Sequence, residues 1–316
     1  MTMPSDTVPD SERRGLIGAL PTVLRPYASL MRVDRPIGTW LLFWPCAWGL
    51  ALAGSAYEPW TILIWFLVGA FAMRSAGCVY NDIVDRDLDK QVARTRLRPL
   101  ASGRVSARAA ILLLAVLLLI GLVVWWRINF QAKVLALCTL PVIALYPFAK
   151  RFTWWPQVVL GLVFASGAAV GFAAANGLAI KDPSQYPGSS TAMWLLYAGS
   201  VAWVIGYDTL YAIQDIEDDA LVGVKSSARR MGSRARAGIA MFYALALAGW
   251  GAAIWTIFPD WLALIPLLPA AIHLARQAWR ADPTDGAGAL ALFRSNRWCG
   301  ALVFAAMLVV GLSVRS

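Results

Sequence analysis

The chain is poor in charge: Asp, Glu, Lys and Arg make up only 15% of its 316 residues, where a soluble globular domain carries about 25%. It has a single histidine, His273, which excludes a metal centre built on several histidines. Its four cysteines (Cys46, Cys78, Cys138 and Cys299) stand far apart, in or at the edge of apolar runs and without CxxC spacing. They read as small buried apolar residues rather than as a disulfide frame or a zinc site. Apolar residues fill the place of charge, with 59% of the chain hydrophobic and a mean hydropathy of +0.61. Two soluble domains, the default for this length, are thereby set aside in favour of one helical membrane domain.

Spanning a bilayer takes about 20 apolar residues. Nine runs qualify as candidates: 37–56, 60–80, 109–126, 132–148, 157–175, 193–213, 237–258, 261–278 and 298–314. Tryptophans at their edges (Trp60, Trp125, Trp126, Trp154, Trp155, Trp261, Trp298) fit interfacial belts. Residues 1–36 read as a cytoplasmic tail with a short amphipathic stretch on the membrane surface. Arg13 and Arg14 precede a brief apolar run there, but Pro21, Arg25 and Pro26 interrupt it and no small-residue cleavage pattern follows. The membrane domain is then 37–316.

A formal net charge of +10 could mean nucleic acid, but the placement of the charge argues against that partner. With the N-terminus inside, the inner segments hold 23 Lys and Arg, the outer ones 4, and Arg74 lies within a span. That asymmetry is the positive-inside signature; it predicts a cytoplasmic N-terminus and an outer C-terminus, as an odd number of spans requires. The longest outer loop, 176–191, is a plain polar connection.

Two inner segments carry dense chemistry. One reads Tyr80-Asn81-Asp82-Ile83-Val84-Asp85-Arg86-Asp87-Leu88-Asp89, and the other Gln214-Asp215-Ile216-Glu217-Asp218-Asp219. Both start with an amide, then Asp-Ile, then further acids, at the same end of spans four apart. This suggests two related four-helix halves plus one span, grouped around a central cavity. If the preceding span continues as a helix, Asn81, Asp85 and Asp89 share a face at i, i+4 and i+8, with Asp82 offset. Asp215 and Asp219 are also i, i+4, and Asp208 lies seven residues earlier on that face. Like charges at this spacing cost about 0.2–0.5 kcal/mol per pair, and an acid drawn toward hydrocarbon about 2.5–3.5 kcal/mol. A solvated helix end or arginine partners could neutralise them. So could a hard cation, since magnesium takes one or two carboxylates plus substrate phosphates. Lys90, Arg94, Arg96, Arg98 and Arg104 follow the first segment, and Lys225, Arg229 and Arg230 the second. Topology-setting charge explains some of them; flanking carboxylates that carry magnesium, such donors are also the ingredients of a diphosphate clamp.

At these residues the chain resembles the UbiA-type intramembrane prenyltransferases. Asn81, Asp82, Asp85 and Asp89 match their NDxxDxxxD motif, and Asp215 and Asp219 their DxxxD motif. The stretches 32–40 (RVDRPIGTW), 94–103 (RTRLRPLASG) and 145–153 (LYPFAKRFT) are similar to the branch that acts on 4-hydroxybenzoate. The resemblance implies a nine-helix fold, with two Mg2+ ions bridging Asn81, Asp82, Asp85, Asp89, Asp215 and Asp219 to the diphosphate of a polyprenyl donor. It implies a bacterial inner-membrane enzyme of ubiquinone synthesis, with membrane lipid around it and its site facing the cytoplasm. Lys90, Arg94, Arg98 and Lys225 are the candidates for the leaving diphosphate. Asp208, or the departing diphosphate itself, is the candidate base. For the acceptor carboxylate the candidates are Arg151 first and Lys150 second, with Tyr146 as a polar aromatic wall and Arg35 sharing the task or only anchoring the first span. The alternatives are an acceptor such as dihydroxynaphthoate or homogentisate, and a cation transporter. The last fits poorly, because its acids should be spread through the membrane depth rather than gathered beside arginines.

Overall fold

The apolar runs are helical because a backbone surrounded by hydrocarbon must satisfy its own N–H and C=O groups, and a helix does so within one segment. The computed structural model describes residues 17–54, 60–91, 95–179, 189–216, 220, 223 and 225–313, with backbone only at 150, 176–179 and 189. In chain order the helices are α1 Arg25–Leu30, α2 Ile37–Leu52, α3 Thr61–Val84, α4 Arg86–Asp89, α5 Ala107–Arg127, α6 Phe130–Phe152 and α7 Pro156–Phe164. They continue with α8 Ser166–Ala179, α9 Ser189–Ile213, α10 Ser227–Met231, α11 Ala235–Ile257, α12 Leu268–Arg280 and α13 Gly286–Ser313. No strand occurs among the described residues.

Each of the nine predicted runs is largely helical over its described residues, and among these residues seven helical segments are long and apolar enough to cross a membrane. The other two are α2, which is short at 16 residues, and α9, whose 25 residues are diluted by Ser, Thr, Tyr and Trp. Two runs contain breaks. Run 157–175 turns at Ala165 between α7 and α8, and run 261–278 opens as a 3-10 turn over Trp261–Leu267 before α12. Pro266 and the proline in the first turn of α12 account for the second break, since neither can donate a helical hydrogen bond.

The chain divides into two compact units, one of Met1–Thr39 and Leu67–Val124, the other of Trp40–Phe66 and Trp125–Ser316. In the first unit α3 buries Ala72, Ser75, Ala76, Val79 and Asp82, the i, i+3, i+4, i+7 stripe of an amphipathic helix. Leu30, Leu100, Val105, Ala110 and Leu117 close over Ala76 and Val79, so the chain from α1 onward is part of the packed unit.

In the second unit α9 is the central pillar, packed against α7, α8, α11 and α13. A Cβ on Gly199 would lie 2.9 Å from the Ala246 carbonyl oxygen, and one on Gly249 2.7 Å from the Gly199 Cα. The α9 and α11 backbones therefore touch where each lacks a side chain, the usual device for close helix approach in lipid. Trp48, Trp203 and Trp250 fill the space above, with ring centroids 4.9 to 6.1 Å apart. Each indole N–H is satisfied, by Gly300 O at 2.8 Å, Asn296 Oδ1 at 2.9 Å and Ser200 Oγ at 3.3 Å respectively.

Substituting Gly199→Leu forces α9 and α11 apart, with an expected cost of about 1–3 kcal/mol or more and a lower midpoint of thermal unfolding in detergent. Gly77→Ala is the control, because nothing lies within 4 Å of the added Cβ. Equal midpoints for the two variants would contradict the packing described.

Candidate active site

Helix α3 does not run unbroken through the first acidic segment. It ends at Val84, Asp85 forms a turn, and α4 restarts over Arg86–Asp89. The predicted spacing survives the break, because Asp85 N donates to Asn81 O at 2.9 Å and Asp89 N to Asp85 O at 2.8 Å. Asn81 is half-buried, while Asp85 and Asp89 are buried at 1% and 6% exposure.

Asp82 has a different environment. It continues the buried stripe of α3, and both its carboxylate oxygens accept from Arg32 Nη2, at 2.8 and 2.9 Å. Arg98 Nη1 adds a contact to Asp82 Oδ1 at 3.3 Å and reaches both oxygens of Asp89, at 3.1 and 2.9 Å. The offset of Asp82 from its three companions is thus the offset between the packed stripe and the neighbouring face. Burial pushes the Asp89 carboxyl above the usual carboxylate range, with the Arg98 guanidinium opposing the rise. Thr95 Oγ1 donates to Asp89 O at 3.0 Å and fixes the far side of the turn.

Arg74, the charge inside a predicted span, turns back onto loop 31–35. Its guanidinium donates to Met31 O at 2.9 Å, Arg32 O at 3.1 Å and Arg35 O at 3.1 Å, and Ser75 Oγ donates to Met31 O at 3.3 Å. Gly38 leaves room for it, since a Cβ there would sit 2.5 Å from Arg74 Nε. Arg32 itself has φ +57°, an uncommon conformation for a residue with a side chain. The loop thus presents Asp34 and Arg35 on a fixed frame, with Arg35 Nε 3.4 Å from Asp34 Oδ2.

The second acidic segment follows α9. Asp208 lies within the helix and hydrogen-bonds Gln157. Asp215 is buried in the turn after it, with its N–H 3.2 Å from Ala212 O. Gln157 Oε1 also accepts from Ser227 N at 3.1 Å, and Ser227 Oγ meets Thr209 Oγ1 at 2.7 Å. Gln157 therefore ties α7, α9 and α10 together around Asp208. Beside it Tyr207 is buried against Trp203 and Phe293, at centroid distances of 4.8 and 5.8 Å.

The basic candidates divide. Arg98 joins the carboxylates. Lys90 pairs with the exposed Asp87 at 2.8 Å, a surface contact that holds it weakly. Lys225 donates to Phe152 O at 3.4 Å and, with Arg229, lies against the Trp154 ring at 6.0 and 5.5 Å. Arg151 is exposed over the Phe148 ring at 5.4 Å, and Tyr146 is half-buried on α6. Arg94 and Asp219 lie outside the described residues, as does the Lys150 side chain. Among the described residues no three His, Cys, Asp or Glu side chains group closely enough to hold a metal by themselves. The donors of the first segment are nonetheless all oxygen and one turn apart, which suits a hard cation completing its shell with phosphate and water.

Sequence reasoning passed over Arg32, Asp34 and Gln157. Asp34 and Arg32 sit inside the RVDRP stretch, and Gln157 is the one amide in its apolar run, a signal in itself, because a polar side chain there needs a partner.

An all-α chain with several apolar helices, and with buried acids at the ends of two of them, defines a multi-pass membrane protein. The chain belongs to the UbiA prenyltransferase family, whose model matches residues 42–300. It is 41% identical over 93% of its length to "4-hydroxybenzoate polyprenyltransferase, mitochondrial" of Caenorhabditis elegans, covering 80% of that protein. It is 39% identical over 90% of its length to "4-hydroxybenzoate octaprenyltransferase" of Cupriavidus pinatubonensis, covering 96% of that one. Among solved structures, a UbiA homologue from Aeropyrum pernix K1 superposes with a TM-score of 0.69 at 26% identity, over 85% of this chain and 97% of that one. A UbiA homologue from Archaeoglobus fulgidus, solved with GPP and Mg2+, gives a TM-score of 0.64 over 91% of this chain and 99% of its own; at 18% identity it speaks to the fold alone.

Removing Arg32 leaves the buried Asp82 carboxylate with only the longer, 3.3 Å contact to Arg98. Arg32→Met is expected to cost about 3–5 kcal/mol of stability, and Arg32→Met combined with Asp82→Leu to recover much of it. Thermal unfolding of the purified variants measures both. A double variant less stable than the single would contradict the pairing.

Proposed function

We propose that the protein transfers a polyprenyl group from polyprenyl diphosphate to the ring carbon ortho to the hydroxyl of 4-hydroxybenzoate, a step of ubiquinone synthesis. The single observation that carries this reading is identity near 40% over nine-tenths of the chain to relatives bearing that activity in their names. Both acidic segments serve the reaction in this proposal. Asn81, Asp82, Asp85 and Asp89 of one segment and Asp215 and Asp219 of the other would hold Mg2+, with Asp82 also paired to Arg32 and Arg98. The cation, when bound, supplies charge neutralisation for the leaving diphosphate.

The side chains do the rest. Arg98, with Lys90, Arg94 and Lys225, donates to diphosphate oxygens as negative charge gathers on them. Asp82 and Asp89 already orient the Arg98 guanidinium. The C–O bond to the allylic carbon breaks, and its electron pair leaves with the diphosphate. The allylic cation survives only where water is excluded, and aromatic faces stabilise it by about 0.5–2 kcal/mol each. The ring carbon ortho to the hydroxyl then forms the new C–C bond. Its proton leaves to a weak base, with Asp208 or the departing diphosphate in that role. Arg151 and Lys150 pair with the acceptor carboxylate, with Tyr146 and Arg35 contributing. The proposal places the protein in a bacterial inner membrane, its N-terminus and active site on the cytoplasmic side, as the charge asymmetry predicts.

Purified protein given radiolabelled acceptors and one polyprenyl diphosphate tests the reading. Product is expected from 4-hydroxybenzoate in the presence of Mg2+ and not after chelation; product from dihydroxynaphthoate or homogentisate alone would overturn the acceptor assignment. In the same assay Asp85→Ala and Asp219→Ala are each expected to abolish turnover while membrane insertion is kept. Full activity in either would remove that segment from the mechanism. Arg151→Ala is expected to raise KM for the acceptor more than for the donor.

A further inference from the structure

Loop 31–35 combines several costly features in a few residues. Arg32 adopts φ +57°, and strained backbone persists only where the surroundings enforce it. The enforcement is visible: three carbonyls of the loop are captured by Arg74, one of them also by Ser75, and the Arg32 side chain is held by Asp82 and by Ser29 O at 3.0 Å. At the centre of this frame is Asp34, only 2% exposed. One of its carboxylate oxygens, Oδ2, lies 3.4 Å from Arg35 Nε. The other, Oδ1, is buried and meets no hydrogen-bond donor among the described residues. An unpaired buried acceptor is costly, and more so when it is charged. The Arg32 and Arg35 guanidinium groups offset part of that cost by charge attraction, but no group donates a hydrogen bond to Oδ1 among the described residues. The energy is explained if Oδ1 is kept for a donor that arrives with substrate.

Resting on the function proposed above, we infer that Asp34 is a catalytic residue whose free carboxylate oxygen accepts the phenolic O–H of the acceptor. An aromatic ring attacks through its ortho carbon most readily when its hydroxyl approaches the phenolate. As the C–C bond to the allylic carbon forms, the phenolic proton passes to Asp34 Oδ1, leaving a neutral dienone with one hydrogen still on the alkylated ring carbon. That hydrogen then leaves as a proton to the separate base, and the proton on Asp34 returns to the oxygen, restoring the phenol. No oxidant or further reactant is needed. Asp34 ends ionised, and the diphosphate carries the net proton whether it takes it directly or by way of Asp208. Arg35, beside it at 3.4 Å, orients the carboxylate between turnovers.

The test uses purified full-length protein, polyprenyl diphosphate, 4-hydroxybenzoate and Mg2+. Asp34→Asn is expected to lower kcat by about 100-fold or more, as removal of a general base does, with KM for the donor little changed. Its residual kcat/KM for the acceptor is expected to rise about one log unit per pH unit below the acceptor's phenolic pKa, as solvent delivers ready-made phenolate; the unmodified enzyme should show a flatter profile. A purely structural role would lower the rate by the same factor at every pH, and that result overturns the assignment, as does full turnover by Asp34→Asn. Should the variant not fold, the unmodified enzyme carries the test: single-turnover rates in H2O and D2O should show a normal solvent isotope effect, and its absence overturns the assignment. If the unmodified enzyme prenylates no 4-hydroxybenzoate at all, the functional reading fails and this inference falls with it. If it does and only the Asp34 results disagree, the functional reading stands and Asp34 alone is withdrawn.

Discussion

A charged group drawn into an apolar helical bundle must find its counter-charge or its carbonyl partners inside the protein, and this constraint organises the first unit. Arg74 lies within a span and is tolerable there because three backbone carbonyls of loop 31–35 surround its guanidinium. Arg32 and Asp82 are both buried and meet through a forked contact at 2.8 and 2.9 Å. Such a pair adds little net stability over apolar residues of similar volume, but removing one member is severe. Its value lies in geometry. It ties the loop before α2 to the acidic end of α3, and Arg98 extends the tie to Asp89. Residues proposed for the acceptor side, Asp34 and Arg35, and for the diphosphate side, Asp89 and Arg98, are thereby parts of one hydrogen-bonded frame.

The second unit reaches a comparable end by other means. Of its acidic residues Asp208 has a neutral partner, Gln157, with Ser227 and Thr209 behind it. Its helices are brought close by glycine rather than by ion pairs, and its tryptophans combine apolar bulk with satisfied N–H groups.

Much of this was legible in the sequence, because the bilayer allows so few solutions. Nine apolar runs became helices, and the spacing of Asn81, Asp85 and Asp89 held in the backbone hydrogen bonds even though the helix breaks at Asp85. The matching of segments did not carry over residue by residue: Asp82, the counterpart of Asp215 by sequence, lies within α3, whereas Asp215 lies in the turn after α9. What could not be read was pairing across long stretches of chain. Periodicity gives the face on which Asp82 lies, but not that Arg32, fifty residues earlier, would meet it. It marks Arg74 as costly without naming the carbonyls that make it affordable. The strained turn at Arg32 left no signal, since no glycine or asparagine stands there. Lys225 illustrates the converse: a plausible diphosphate donor by position, it rests against Trp154 and Phe152 O, a contact between residues seventy apart.

The central claim is that the acidic segments grip a diphosphate through a divalent cation. Calorimetric titration of the unmodified protein with a non-cleavable polyprenyl diphosphate analogue, with magnesium and again with a chelator, tests it without any chemistry taking place. Saturable binding that depends on the cation is predicted. Equal affinity in the chelated sample would contradict the claim, because the lipid tail alone would then account for binding.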